Sequence, residues 1–184
     1  PDYTFDNPTV QFNSEESQLI TGTTNGEGDA SVKTRLNVGA TAPGMLLGSF
    51  TTKVYEESGD FSIDAVRLLY SPYQRYVGIH SPQKNRQPLS TDQDHTFQFV
   101  SVDYHGAPIA GSELDISIYK LDWYWWWSAD QSTLANFTSS SYYKPVKQEK
   151  LTTDEAGKAS LALSFDEKNW GTYLILAKDR KSVV

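Results

Sequence analysis

The stretch "HTFQFVSVDYHGAP", His95 to Pro108, sets Phe97, Phe99 and Ser101 against Gln98, Val100 and Val102 and then runs into His105-Gly106. A period of two puts successive side chains on opposite faces, as a β-strand does, and the glycine supplies the positive φ that a tight connection needs. The same reading extends outward. "GSFTTKVYEE" alternates Phe50, Thr52 and Val54 with Thr51, Lys53 and Tyr55, while "ASVKTRLNV" alternates imperfectly through Val32, Arg35 and Leu36. Further turns read around Asn25-Gly26 in "TTNGEGD" and around Gly157 in "TDEAGKA". Because 3.6-residue periodicity nowhere lasts longer than about two turns, the chain reads as all-β, with short antiparallel strands in β-sandwiches.

An internal echo sets the organisation. "GDASVKTRL" at Gly28 and "GKASLALSF" at Gly157 share Gly-x-Ala-Ser-apolar, 129 positions apart, and Gly44 and Gly171 precede apolar strands 127 positions apart. Two tandem units explain both matches. The first has too little chain ahead of "YSPYQRYVGI", so residues 1–70 are expected to form a partial sandwich domain and residues 71–184 a complete one. "SPYQRY", 71–76, is the expected boundary.

Composition bounds the chemistry. With 23 acidic against 16 basic residues and a formal charge of -7, the chain lacks the basic footprint that a phosphate backbone requires, so nucleic acid is not an expected partner. The absence of cysteine excludes disulfides, thiolate metal sites and a cysteine nucleophile. No apolar run is long enough to insert in a membrane, and a start at "PDYTFDNPTV" without Met or leader reads as an excised piece.

The aromatic residues concentrate in "LDWYWWW". Leu114, Ile116 and Ile118 carry one strand face, whereas Tyr119, Leu121, Trp123, Trp125 and Trp127 carry the next apolar parity, so a bulge is expected near Ile118-Tyr119. Tyr124 and Trp126 then leave rings on the opposite side. A strand apolar on both faces suits a wedge between two sandwiches, with Trp123, Tyr124, Trp125, Trp126 and Trp127 making interdomain or partner contacts and Tyr142 and Tyr143 of "SSSYYKPV" returning nearby. The competing reading is an exposed platform for sugar rings, as in a carbohydrate-binding or adhesion module.

Catalytic patterns are missing. Asp92, Asp94 and His95 in "DQDHTF" offer too few ligands for a metal and read as a solvated turn. Glu56-Glu57, adjacent on a strand, would point to opposite faces and cannot share acid/base work. There is no Gly-x-Ser-x-Gly, phosphate loop or HExxH, so neither an enzyme nor a cofactor is expected. Asn136-Phe137-Thr138 fits the N-glycosylation acceptor pattern.

Taken together, "VYEESGDFSID", "YSPYQRYVGI", "LDWYWWW", "SSSYYKPV" and "TTDEAGKASLAL…WGTYLILAKD" resemble the macroglobulin-type domains of bacterial alpha-2-macroglobulins. The resemblance spans nearly the whole chain and is closest from Val54 to Asp179. It implies a non-catalytic scaffold segment of two consecutive seven-stranded sandwiches, the first incomplete, upstream of the bait and thioester regions of a protease-trapping protein. The implied partners are neighbouring domains of the parent chain and, through the whole protein, target proteases. The implied location is the cell envelope or periplasm, through a membrane-anchored parent.

Overall fold

The structure, a computed structural model, describes residues 2–10, 12–35, 42–83, 87–121 and 144–180. Among these residues it is all-β, with eight strands in three antiparallel sheets and one 3-10 turn at Glu167–Asn169. The strands are β1 (Leu46–Tyr55), β2 (Phe61–Tyr70), β3 (Arg75–His80), β4 (His95–Asp103), β5 (Glu113–Leu121), β6 (Lys147–Thr152), β7 (Lys158–Leu163) and β8 (Thr172–Asp179). Sheet β3-β4-β7 faces sheet β6-β5-β8, and β1 pairs only with β2 among the described residues.

The two central strands are the ones whose alternation is cleanest. Phe97 and Phe99 on β4 and Leu114, Ile116 and Ile118 on β5 point inward and, with Leu163, form the buried core, against which Val77, Ile79, Leu161, Tyr173 and Ile175 pack. Phe99, Leu114 and Ile118 are fully buried. The edge strand β6, KQEKLT, is mostly polar, and its charges discourage pairing with further chains.

One end of this core is polar. The hydroxyls of Ser101 and Ser112 lie 3.0 Å apart, the Ser112 N–H donates to Thr153 Oγ1 (2.9 Å), and the Thr153 hydroxyl donates to the Ile109 carbonyl (2.8 Å). Buried polar groups are tolerated when paired in this way. Asp179 lies nearby with its side chain buried, and Arg75 on β3 approaches it at 3.6 Å, joining the last strand of one sheet to the first of the other.

Four connections share one loop geometry. In each, the residue at the first position bonds the residue four further on, and a glycine between them has positive φ: Asn25 to Asp29 with Gly28, Glu56 to Asp60 with Gly59, Asp103 to Ala107 with Gly106, and Asp154 to Lys158 with Gly157. Asn25, Asp103 and Asp154 tighten the loop further, each side-chain oxygen accepting two backbone N–H groups from inside it. The first turn therefore differs from its expected centre: Gly28 rather than Gly26 takes positive φ, because the left-handed residue of this loop comes just before its closing residue. Glu56 and Glu57 likewise follow β1 in a turn and are not on a strand.

Residues 30–35, expected as a strand from "ASVKTRL", have no strand partner among the described residues and are exposed. The echo thus holds in the turn and fails in the strand beyond it.

Candidate functional site at an aromatic junction

The expected site, Trp123, Tyr124, Trp125, Trp126, Trp127, Tyr142 and Tyr143, lies outside the described residues, as does Asn136-Phe137-Thr138. The strand leading to it is described. Its pairing with β8 runs without interruption through Ile118↔Ile175, Tyr119↔Leu174, Lys120↔Tyr173 and Leu121↔Thr172, so there is no bulge at Ile118-Tyr119. The parity change arises differently: the outer face of this sheet is itself apolar there, Tyr119 lying opposite Leu174, and both are partly buried. Lys120 takes the inward parity instead, with Nζ 6.0 Å from the centre of the Tyr173 ring.

A second aromatic cluster, at the N-terminal segment, lies inside the described residues. The N-terminal segment pairs with the free edge of β3, Thr4 and Ile79 exchanging two backbone hydrogen bonds of 2.9 Å. Tyr3 and Phe5 thereby fall on the outer face of the sheet, above Gly78. A Cβ on Gly78 would sit 2.7 Å from the Phe5 ring and 3.0 Å from Tyr3 Cβ, so the glycine is what lets the rings approach. Tyr3 also packs edge-on against His80 and donates its hydroxyl to Gln98.

The chain enters β1 through the same region. Ala42, 4% exposed, donates its N–H to the Tyr73 hydroxyl (2.9 Å) and accepts that hydroxyl's proton at its carbonyl (2.8 Å). The Asn7 N–H donates to the Pro43 carbonyl at 2.8 Å, and Gly44 lies against the Phe5 carbonyl, where a Cβ would come within 2.8 Å. The Tyr76 hydroxyl lies 2.6 Å from Ser71 Oγ and accepts the Tyr73 N–H. "SPYQRY" is thus a hydrogen-bonded knot that fastens the base of the β1–β2 hairpin to the sandwich. The sequence signal that could have found it is an isolated glycine inside the strand "RYVGIH", which marks close approach of another chain segment.

Replacing Gly78 by Ala should push Phe5 outward and open the Thr4–Ile79 pairing. The expected result is at least about tenfold faster amide exchange at Thr4 with little change at β4. Unchanged exchange at Thr4 would show that the rings do not hold the segment.

Electrostatics around the rest of the fold are quiet. Arg180 pairs with Glu113 (3.3 Å) and Asp115 (3.5 Å) beside Lys150, but these groups are half exposed and such pairs contribute little. His95 Nε2 meets the Ser90 carbonyl at 2.8 Å, Asp92 lies in a turn at φ 58°, and no trio of histidine and acidic side chains among the described residues is placed to hold a metal.

Among the described residues one titration is perturbed. Tyr173 stacks on Phe165 at 4.0 Å and donates its hydroxyl to the Asn169 carbonyl in the loop that Asp166 caps. Burial, and after it the Asp166 carboxylate, raises the Tyr173 pKa above its ordinary value of 10.0. The native state therefore holds this proton where the unfolded chain has released it. The resulting stability is complete below about pH 10 and is lost as pH rises through the native pKa. A Tyr173→Phe variant should show a flatter alkaline decline in stability than the parent, and identical profiles would contradict this.

The fold defines a class first: an all-β chain whose antiparallel sheets form a β-sandwich. The particular family follows from sequence comparison. Residues 78–184 match bacterial macroglobulin domain 6, and the chain belongs to that family, among the macroglobulin-type domains of bacterial alpha-2-macroglobulins. No curated protein and no solved structure matched.

Proposed function

We propose that the chain is a non-catalytic scaffold segment of an alpha-2-macroglobulin-like endopeptidase inhibitor, a protein that traps proteases in the cell envelope or periplasm. Membership of the macroglobulin domain 6 family carries this reading. The architecture supports it, because the Tyr73–Ala42 bonds fasten the base of the β1–β2 hairpin to the sandwich and the Thr4–Ile79 bonds add the N-terminal segment to its edge, an arrangement suited to holding consecutive domains at fixed positions. In this role its partners are neighbouring domains of the parent chain, and proteases meet it through the whole protein. The chain itself is expected to hydrolyse nothing and to need no cofactor.

The test uses a protease mixed with the parent protein. Trapping leaves cleavage of a small chromogenic peptide intact and blocks cleavage of a protein-sized substrate. A parent lacking residues 72–180 should lose that discrimination, and the 184-residue chain alone should neither cleave nor shield. Full discrimination by the deletion variant, or hydrolysis by the chain alone, would overturn the proposal.

A further inference from the structure

Two edges of the sandwich are guarded in different ways. β6 carries Lys147, Glu149 and Lys150, charges that oppose pairing with a further strand. β3 has Arg75 and His80 at its ends and only the neutral run Tyr76-Val77-Gly78-Ile79 between them. What lies along this edge is the N-terminal segment. Thr4 and Ile79 exchange two backbone bonds, the Asp2 carbonyl lies 3.0 Å from His80 Nδ1, and the Tyr3 hydroxyl donates to Gln98 across the outer face (3.4 Å). The Phe5 and Tyr3 side chains fill the space over Gly78.

The bonding pattern shows which groups the segment covers. Ile79 directs its N–H and carbonyl outward to Thr4, and because these directions alternate along an antiparallel strand, Val77 directs its own outward as well, while Gly78 between them faces Val100 of β4. Two outward residues flanking a glycine make the edge self-complementary. Turned about a two-fold axis through Gly78, the β3 of a second copy sets Val77 against Ile79 and Ile79 against Val77, each pair exchanging two backbone bonds. Glycine then meets glycine on the axis, at a pair without bonds, where side chains would approach most closely.

We infer that residues 2–5 are a cap on a homotypic docking edge, and that the partner this edge takes when the cap is withdrawn is β3 of a second copy of this chain. With the segment in place, Thr4 holds the Ile79 bonds and its backbone fills the lane that a second strand would occupy. With the segment withdrawn, the β3-β4-β7 sheets of two copies join through β3 into one continuous antiparallel sheet. Contact in cis and contact in trans use the same Ile79 groups, so each excludes the other.

The experiment compares, by sedimentation equilibrium, the 184-residue chain with a variant lacking residues 1–5. The truncated chain should dimerise at least about tenfold more tightly, with the Val77 and Ile79 amides protected in the dimer. Thr4→Pro in the whole chain, which removes the N–H donated to Ile79, should move association in the same direction. The register is tested at Gly78, where the atoms nearest to an added Cβ belong to Phe5 and Tyr3 and are absent from the truncated chain. There Gly78→Glu and Gly78→Lys each set like charges opposite one another on the axis and should each be monomeric, whereas the two variants mixed should form a heterodimer. Association unchanged by both truncation and Thr4→Pro, a dimer that Gly78→Glu leaves intact, or a mixture as monomeric as its components would each overturn the inference.

Discussion

Replacing Phe99 by Ala is expected to cost about 3–5 kcal/mol, the range for removing a large buried aromatic whose site cannot collapse. Phe99 is 0% exposed and sits on a strand held on both edges, facing Leu114, Ile116 and Ile118 of the opposite sheet. Neither sheet can close over the void without breaking its ladder. Since domains are stable by about 5–15 kcal/mol, the loss takes about a fifth or more of a typical total. The comparison is Phe61→Ala on β2, where the ring is 53% exposed and the change should stay within about 0.5 kcal/mol. Denaturant melts of both variants check this, and a Phe99→Ala cost under about 1 kcal/mol would mean the two sheets do not pack as described.

The second large effect is at Gly157, where two penalties coincide. Its φ of +70° disfavours any L side chain by about 1–2 kcal/mol. A Cβ there would also lie 2.8 Å from the Ser101 carbonyl and 2.9 Å from the Ile109 nitrogen, both backbone atoms that cannot swing aside. Gly157→Ala should therefore cost about 2–4 kcal/mol once crowding is added. Gly106 separates the two contributions, because it has φ +85° in the same kind of loop but nothing within 4 Å of a Cβ. Gly106→Ala should cost only the backbone part, about 1–2 kcal/mol. Equal costs at the two positions would remove crowding from the explanation.

What the sequence made legible was the part that local chemistry determines. Strands β4 and β5 were readable because Phe97, Phe99, Leu114, Ile116 and Ile118 alternate with polar neighbours, and most turns because Asp or Asn and a spaced glycine close them. The Ile118-Tyr119 bulge failed because it assumed one apolar face per strand. Tyr119 instead meets Leu174 on the outer face, and the backbone ladder, not the apolar pattern, fixed the register. Residues 30–35 read as a strand from the imperfect alternation of Val32 and Arg35 with Leu36, but a strand needs a neighbour to bond, and none is described there. The junction escaped notice because Tyr3, Phe5, Ala42, Tyr73 and Gly78 meet only in three dimensions. No pattern within a short window of sequence records a phenol closing on a backbone 31 residues away.

Amide hydrogen exchange along the full chain tests the central claim, that a two-sheet macroglobulin-type sandwich holds the N-terminal segment along the edge of β3. The account predicts that β4 and β5 exchange only through global unfolding, that Thr4 and Ile79 are protected with the β3 edge, and that residues 18–24 and 30–35 exchange close to unprotected rates. Protection of residues 30–35 equal to that of β7, or free exchange at Thr4 and Ile79, would contradict it.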